Sequence, residues 1–172
     1  METKFLEVMA YTMPALITGI IAFYFFNLHI KNENARRKFI IQKDVKKETL
    51  PIRLQAYERM ALFLERINPQ KLLVRVSPNS SSKDDYESQL IKNIETEFDH
   101  NLSQQIYMTD ECWSIVKAAK NATIQIIRKS SMSDKIDSSD KLRESILNDL
   151  MDRQTPSYAA LSFIKKEVGE LW

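Results

Sequence analysis

The first feature of the hydrophobic pattern is an uncharged run, because residues 8–30 contain no Asp, Glu, Lys or Arg. As an α-helix, this run extends about 34 Å, slightly more than the roughly 30 Å hydrocarbon core of a bilayer. The pattern therefore predicts a single transmembrane helix within a first domain of residues 1–30.

A cleavable secretory signal is the alternative explanation of this run. Such a signal has a basic start, an apolar stretch of about 7–15 residues and a small-residue cleavage site. Here Lys4 is flanked by Glu2 and Glu7, and the run ends in aromatic and polar residues up to His29 and Ile30. We therefore expect an uncleaved anchor.

Basic residues dominate the segment that follows, residues 31–48. Its cationic side chains are Lys31, Arg36, Arg37, Lys38, Lys43, Lys46 and Lys47. Lys and Arg beside a spanning helix resist translocation, which predicts the N-terminus outside and the C-terminal part in the cytoplasm. Of these residues, Lys31, Arg36, Arg37 and Lys38 are the candidates for binding anionic lipid headgroups, at about 1 kcal/mol each.

Small residues recur on one side of the predicted span, at Thr12, Ala15, Gly19 and Ala22. Small side chains let two helices approach closely in lipid. The stripe suggests self-association through the span, and the alternative is that small residues are simply common in membrane helices.

After residue 48 the apolar positions recur every three or four residues, as in amphipathic helices. Thr49 is a candidate N-cap with Pro51 in the first turn, Asn68 can cap a short second helix, and Thr109 and Thr155 can cap later ones. The polar segments 77–82 and 129–138 are predicted connections, and Ser139 or Asp140 a cap. The pattern predicts five or six helices.

Glycine is scarce, with only Gly19 and Gly169 in 172 residues. Tight hairpins and glycine-rich phosphate loops need residues at positive φ, so the scarcity argues against both. We therefore predict an all-α protein with a compact cytoplasmic bundle at residues 49–172. Four prolines along this part, Pro51, Pro69, Pro78 and Pro156, argue against one uninterrupted helical rod.

The segment 49–60, Thr-Leu-Pro-Ile-Arg-Leu-Gln-Ala-Tyr-Glu-Arg-Met, resembles a segment of uncharacterised single-span proteins of Bacteroidota. In that family it follows a short N-terminal anchor, and the resemblance covers about residues 49–76. It implies a bacterial inner-membrane protein and carries over no activity or functional residue.

Charged and large apolar residues alternate closely in the same segment. Arg53, Tyr57 and Arg59 are the candidates for binding a protein partner, since interfaces are enriched in Arg and aromatic anchors. The alternative is an ordinary amphipathic helix with a solvated charged face. Nucleic acid is not an expected partner, because acidic and basic residues nearly balance after residue 48.

The sequence contains few candidate catalytic or metal-binding residues. Glu97 and His100 have the spacing of half a di-iron motif, but a complete site needs a second copy and two further Glu. Cys112, the only cysteine, is better explained as a small buried thiol in a reducing compartment. We expect no cofactor and no bound metal.

These observations favour a membrane-anchored helical scaffold, or an accessory subunit of an inner-membrane assembly, without catalysis of its own. The alternative is a regulatory or enzymatic domain whose site forms only on oligomerisation.

Overall fold

The computed structural model describes residues 2–150 and 153–171, and of residues 2, 3 and 5–8 only the helical backbone. Met1, Met151, Asp152 and Trp172 lie outside the described residues, although the predicted domains include them. The elements are α1 (Glu2–Ile67), α2 (Pro69–Arg75), α3 (Lys83–His100), a 3₁₀-helix (Leu102–Tyr107), α4 (Asp110–Ser131), α5 (Ser139–Asp149) and α6 (Pro156–Gly169).

The chain divides into two compact units, Met1–Thr49 and Leu50–Trp172. In the first unit, every described residue is helical, and none of the residues whose side chains are described is buried. A helix without a buried side has no core within its own unit to stabilise it.

The second unit has one continuous apolar core, to which α1 contributes its last turns. The buried positions of α1 include Tyr57, Met60, Leu64 and Ile67, at the three- and four-residue steps that place side chains on one face. Helix α4 packs against α3, α5 and α6, and α2 packs against α5. The all-α prediction is confirmed, because the part of the chain described above contains six α-helices, one 3₁₀-helix and no strand.

Aromatic rings join three helices of this unit. Phe63 of α1 and Phe98 of α3 have ring centroids 5.6 Å apart, and Phe98 stacks on Trp113 of α4 at 5.2 Å. The ammonium of Lys120 lies 4.6 Å from the Phe98 centroid. Such contacts orient helices more specifically than aliphatic burial does.

Polar caps begin most of the helices, and the local pattern predicts them well. The side chains of Asn68, Thr109 and Thr155 accept hydrogen bonds from the backbone N–H groups of Gln70, Cys112 and Tyr158, which confirms three predicted caps. Helix α5 is capped by Ser138, one residue before the predicted positions. The local pattern does not distinguish Ser138 from Ser139 because both are suited to capping; the Ser138 side chain accepts from the N–H of Lys141.

The predicted start of a helix at Thr49 and Pro51 is wrong. Helix α1 continues through both residues, and the Thr49 hydroxyl donates to the carbonyl of Val45 at 2.8 Å instead of capping a helix. A mid-helix Thr that bonds back to the preceding turn has the same local sequence as a cap. Pro51 removes only the bond that residue 51 would donate to the carbonyl of residue 47.

One other predicted boundary shifts, and a short extra helix appears. Helix α3 ends at His100, and a separate 3₁₀-helix follows before the cap at Thr109. Helix α4 extends to Ser131, and Ser130 and Ser131 are buried instead of lying in a polar connection. The shorter connection is held in place, since the Ser139 hydroxyl donates to the carbonyl of Ser80 at 2.8 Å.

Candidate functional site

Tyr57 lies at the centre of a polar contact inside the bundle. Its hydroxyl donates to Oε1 of Glu167 at 2.7 Å and accepts from Arg53 Nη2 at 3.4 Å. Arg53 Nε also donates to the carbonyl of Tyr107 at 3.1 Å. We call Arg53, Tyr57, Cys112 and Glu167 the tyrosine cluster, because it joins α1, α4 and α6.

The electrostatics of the tyrosine cluster favour a neutral tyrosine and thiol beside one carboxylate. Burial, reinforced by the hydrogen bond to Glu167, raises the pKa of Tyr57 to about 12. Burial and the neighbouring Glu167 raise the pKa of the Cys112 thiol to about 12. Burial opposes ionisation of Glu167, but the hydrogen bond from Tyr57 and the proximity of Thr109 and Cys112 outweigh it and lower the pKa of that carboxyl.

Oε2 of Glu167 is buried and has no hydrogen bond of regular geometry with the described residues. The Thr109 hydroxyl and Cys112 thiol therefore act on this carboxylate mainly by proximity. A neutral thiol with a raised pKa is a poor nucleophile at neutral pH. The cluster is thus built to hold helices together, and the expectation of a structural Cys112 agrees with its full burial.

A second feature is a pocket of about 410 Å³ between α1 and the end of α3, which we call the arginine pocket. Its polar lining includes Arg59, Arg66, Glu97 and His100. Oε1 of Glu97 lies 2.6 Å from Arg66 Nη2 and 3.6 Å from Arg75 Nη1. Glu97 is therefore occupied by two guanidinium groups.

This pairing gives Glu97 a structural role. Within residues 2–150 and 153–171, no group of three or more His, Cys, Asp or Glu side chains is arranged to hold a metal ion. The Glu97 carboxylate neutralises arginines in this structure, so the half-motif has a structural explanation.

A third feature is an apolar groove of about 420 Å³ between α1 and α6. It is lined by Leu54, Tyr57, Glu58, Ala61, Leu161, Ile164, Lys165 and Val168. We call it the α1–α6 groove. The groove contains part of the segment that was predicted to bind a partner.

The structure places the three partner-binding candidates differently. Tyr57 is buried, Arg53 is half-buried and engaged with Tyr107, and Arg59 is exposed. Arg59 makes no ion pair with any described residue. The partner-binding role of these residues stays a prediction, with Arg59 as the candidate whose charge is free.

In the first unit, Ala15, Gly19 and Ala22 are exposed, and a Cβ added at Gly19 meets nothing within 4 Å. Thr12 is exposed as well, and its hydroxyl donates to the carbonyl of Met9 at 3.5 Å. The Thr18 hydroxyl donates to the carbonyl of Pro14 one turn earlier. The stripe of small residues is therefore open to a partner helix or to lipid.

The headgroup candidates Lys31, Arg36, Arg37 and Lys38 are all exposed. Arg37 Nε lies 3.3 Å from Glu33 Oε1, while the other three form no ion pair with the part of the chain that the structure describes. Three of the four charges thus remain available to an anionic surface.

Length and composition allow α1 to cross a membrane once, over a candidate range of Met9–Ile67 whose most apolar stretch is entirely unburied. A signal sequence or the core helix of a soluble protein can meet the same criterion of length and apolarity. The lack of burial argues against the core helix of a soluble protein, because a core helix would have a covered face.

Sequence reasoning missed Glu167 altogether and considered Glu97 only as half of a metal motif. Glu167 contacts Tyr57 across 110 positions of the chain, and Glu97 gathers two arginines from different helices. Nothing in the spacing of a single sequence pairs such distant charges. The one available signal was their position among apolar residues of a helix, which marks a carboxylate that needs a partner.

The profile of a family of unknown function, DUF7935, matches residues 3–171. No curated protein and no solved structure matches the chain.

Proposed function

We propose that this chain, which belongs to the family of unknown function DUF7935, is a membrane-anchored helical scaffold or accessory subunit. Residues 8–30 span the bacterial inner membrane once, and the bundle lies in the cytoplasm, where it binds a protein of the same membrane assembly. The bundle itself performs no catalysis.

The observation that carries the proposal is the exposure of apolar side chains all round the first unit. Phe23 is 71 % exposed, Ile20 68 % and Leu16 61 %, and their neighbours are exposed as well. A contiguous apolar surface of this kind is unfavourable in water and favourable among lipid tails. The bilayer is the environment that satisfies every side of this helix.

The sidedness rests on the exposed basic residues that follow the span. Lys31, Arg36 and Lys38 are free of ion pairs with described residues and can remain at an anionic leaflet. Residues 1–7, before the span, contain one basic side chain, that of Lys4. The asymmetry favours a cytoplasmic bundle.

The scaffold role rests on the α1–α6 groove. The bundle has its own complete core, yet this apolar groove remains open at its surface, with Glu58 and Lys165 beside it. An amphipathic helix of a partner fits such a groove by placing apolar residues inside it. The groove includes the segment 49–60 that the family resemblance singled out.

Carbonate extraction of membranes tests the anchor. Wild-type protein should stay in the pellet, whereas Ile20→Lys with Ile21→Lys should be released, since each Lys at a span centre costs about 2.5–3.5 kcal/mol. The matched control replaces Ile40 and Ile41, exposed residues outside the proposed span, by Lys. Release of the wild type, or equal behaviour of both double variants, would refute the anchor.

Crosslinking and co-purification from detergent test the scaffold role. Ala61→Arg fills the α1–α6 groove with a charged side chain and should remove a bound partner, with at least about tenfold lower recovery. Ala118→Arg, on an exposed position of α4, is the control and should retain it. Unchanged recovery with both variants would exclude the groove as the binding surface.

A further inference from the structure

The arginine pocket has more positive charge than its one carboxylate can neutralise. Arg66 and Arg75 share Glu97, whose side chain is only 18 % exposed, and Arg59 lines the same pocket without an ionic partner. Arg59 and Arg66 of the lining against Glu97 leave an excess of about one positive charge in the pocket, and Arg75, which contacts Glu97 from outside the lining, adds a second nearby. Such an excess in a concave site attracts anions.

The donors of the pocket are not saturated. Arg66 Nη2 bonds to Glu97, but the buried Nε of Arg66 has no hydrogen-bond partner among the described residues. Arg75 Nη2 donates to the carbonyl of Arg66 at 3.4 Å, which helps to fix the end of α1. The guanidinium of Arg66 is therefore held in position by Glu97, while Arg59 makes no ion pair with the described residues and can close on a ligand.

The remainder of the pocket is apolar. Leu62, which is 59 % exposed, and Phe63 line it beside the charged groups. The volume of about 410 Å³ falls in the range of small-molecule sites, about 300–1,000 Å³. The pocket thus combines a cationic side with an apolar side.

We propose that the arginine pocket binds the phosphate group of an organic phosphate, with Arg59 and Arg66 on the phosphate and Leu62 and Phe63 against the organic part. A phosphate monoester carries about −1.5 to −2 charges at pH 7, which matches the local excess. Arginine suits this group because its planar fork donates two parallel hydrogen bonds. The phosphate belongs either to a soluble metabolite or to a lipid headgroup.

Binding is measured by calorimetry on the full chain in a neutral maltoside detergent. The probes are inorganic phosphate, phenyl phosphate and dioctanoyl phosphatidic acid. Phenyl phosphate should bind saturably and more tightly than inorganic phosphate, because only the former contacts Leu62 and Phe63. Saturable binding of phenyl phosphate alone indicates a soluble ligand, and binding of phosphatidic acid alone indicates a lipid headgroup; both results support the site. Absence of saturable binding for all three probes would overturn it.

Two variants locate the binding. Arg59→Gln should weaken it by about tenfold, since a charge-assisted pair is lost, whereas Arg128→Gln, an exposed position on α4, should change it less than about twofold. Arg59 has no ionic partner among the described residues, so this variant should unfold like the wild type in circular dichroism. Equal weakening by both variants would indicate diffuse electrostatic attraction and would overturn the site.

Glu97→Gln tests the same pocket, and its expected effect on phosphate affinity is opposite to that of Arg59→Gln. Removal of the Glu97 carboxylate should tighten phosphate binding by about fivefold or more, because the anion no longer competes with Glu97 for the arginines. Unchanged or weaker binding would place the anion elsewhere and overturn the proposal. The pocket lies within the bundle, so failure here leaves the membrane anchor and the α1–α6 groove untouched.

Discussion

Tyr57 connects two helices through one hydroxyl, and its environment keeps that hydroxyl protonated. The hydroxyl donates a hydrogen bond to Oε1 of Glu167 at 2.7 Å. Glu167 is half-buried, so loss of the Tyr57 hydroxyl should lower the stability of the protein without unfolding it. The contact therefore offers a measurable test of how α6 is held.

Tyr57→Phe should lower the free energy of unfolding by about 1–2 kcal/mol, since Glu167 loses a charge-assisted hydrogen bond. Denaturant unfolding of the full chain in detergent, followed by circular dichroism, measures the change. Tyr158→Phe is the control, because Tyr158 is exposed, and it should stay within about 0.5 kcal/mol of the wild type. Equal effects of both variants would contradict the assignment.

The same variant should also change the dependence of stability on pH. The pKa of Glu167 is lowered from its ordinary value of 4.5 in the folded state, so its contribution is present above pH 4.5 and is lost as pH falls through the lower folded value. Tyr57→Phe removes part of that lowering, which should flatten the acid side of the stability curve. At the alkaline side, the wild type should lose stability as pH rises from about 10 towards 12, where Tyr57 ionises.

The helix caps differ in whether they also join one helix to another. The Thr155 hydroxyl accepts from the N–H of Tyr158 and from Asn68 Nδ2, each at 3.3 Å, and so joins the starts of α6 and α2. Thr49, the residue that local sequence also marked as a cap, only donates back into its own helix. The two threonines therefore form a matched pair.

Thr155→Ala should cost about 1–2 kcal/mol of unfolding free energy, because the N-cap and the bond to Asn68 are both lost. Thr49→Ala should be neutral or slightly stabilising, since alanine has the higher helix propensity. Thermal unfolding by circular dichroism compares them. A larger loss for Thr49→Ala would indicate that a helix begins there after all.

Some features of the helices can be predicted from a single sequence, and others cannot. Caps at Asn68, Thr109 and Thr155 were predictable because each is a local event within four residues. The continuity of α1 through Pro51 was not, because a capping and a back-bonding threonine look alike in sequence. The Tyr57–Glu167 and Arg66–Glu97 contacts depend on how helices pack, which no local pattern encodes.

At the scale of the whole molecule, charge is distributed unevenly although the net charge is only +2. The exposed basic residues after the apolar run set the proposed orientation, while the bundle is nearly neutral. An alkaline phosphatase fused to the C-terminus should be inactive, because the enzyme requires export. Replacement of Lys31, Arg36, Arg37 and Lys38 by Gln should raise its activity by allowing some chains to invert.

A high activity of the unmodified fusion would reverse the orientation. If the four replacements leave a low activity unchanged, the more distant Lys43, Lys46 and Lys47 are sufficient to retain the bundle. Western blotting of the fusions controls for their abundance.

The burial of Cys112 has a practical consequence for further work. It is the chain's only cysteine, it is fully covered, and its thiol has a pKa raised to about 12. Maleimide reagents act on accessible thiolates and should therefore leave it unmodified in the native protein. A cysteine introduced at an exposed position such as Asn79 or Ser162 would then accept a spin label or fluorophore selectively, without any change to the native core.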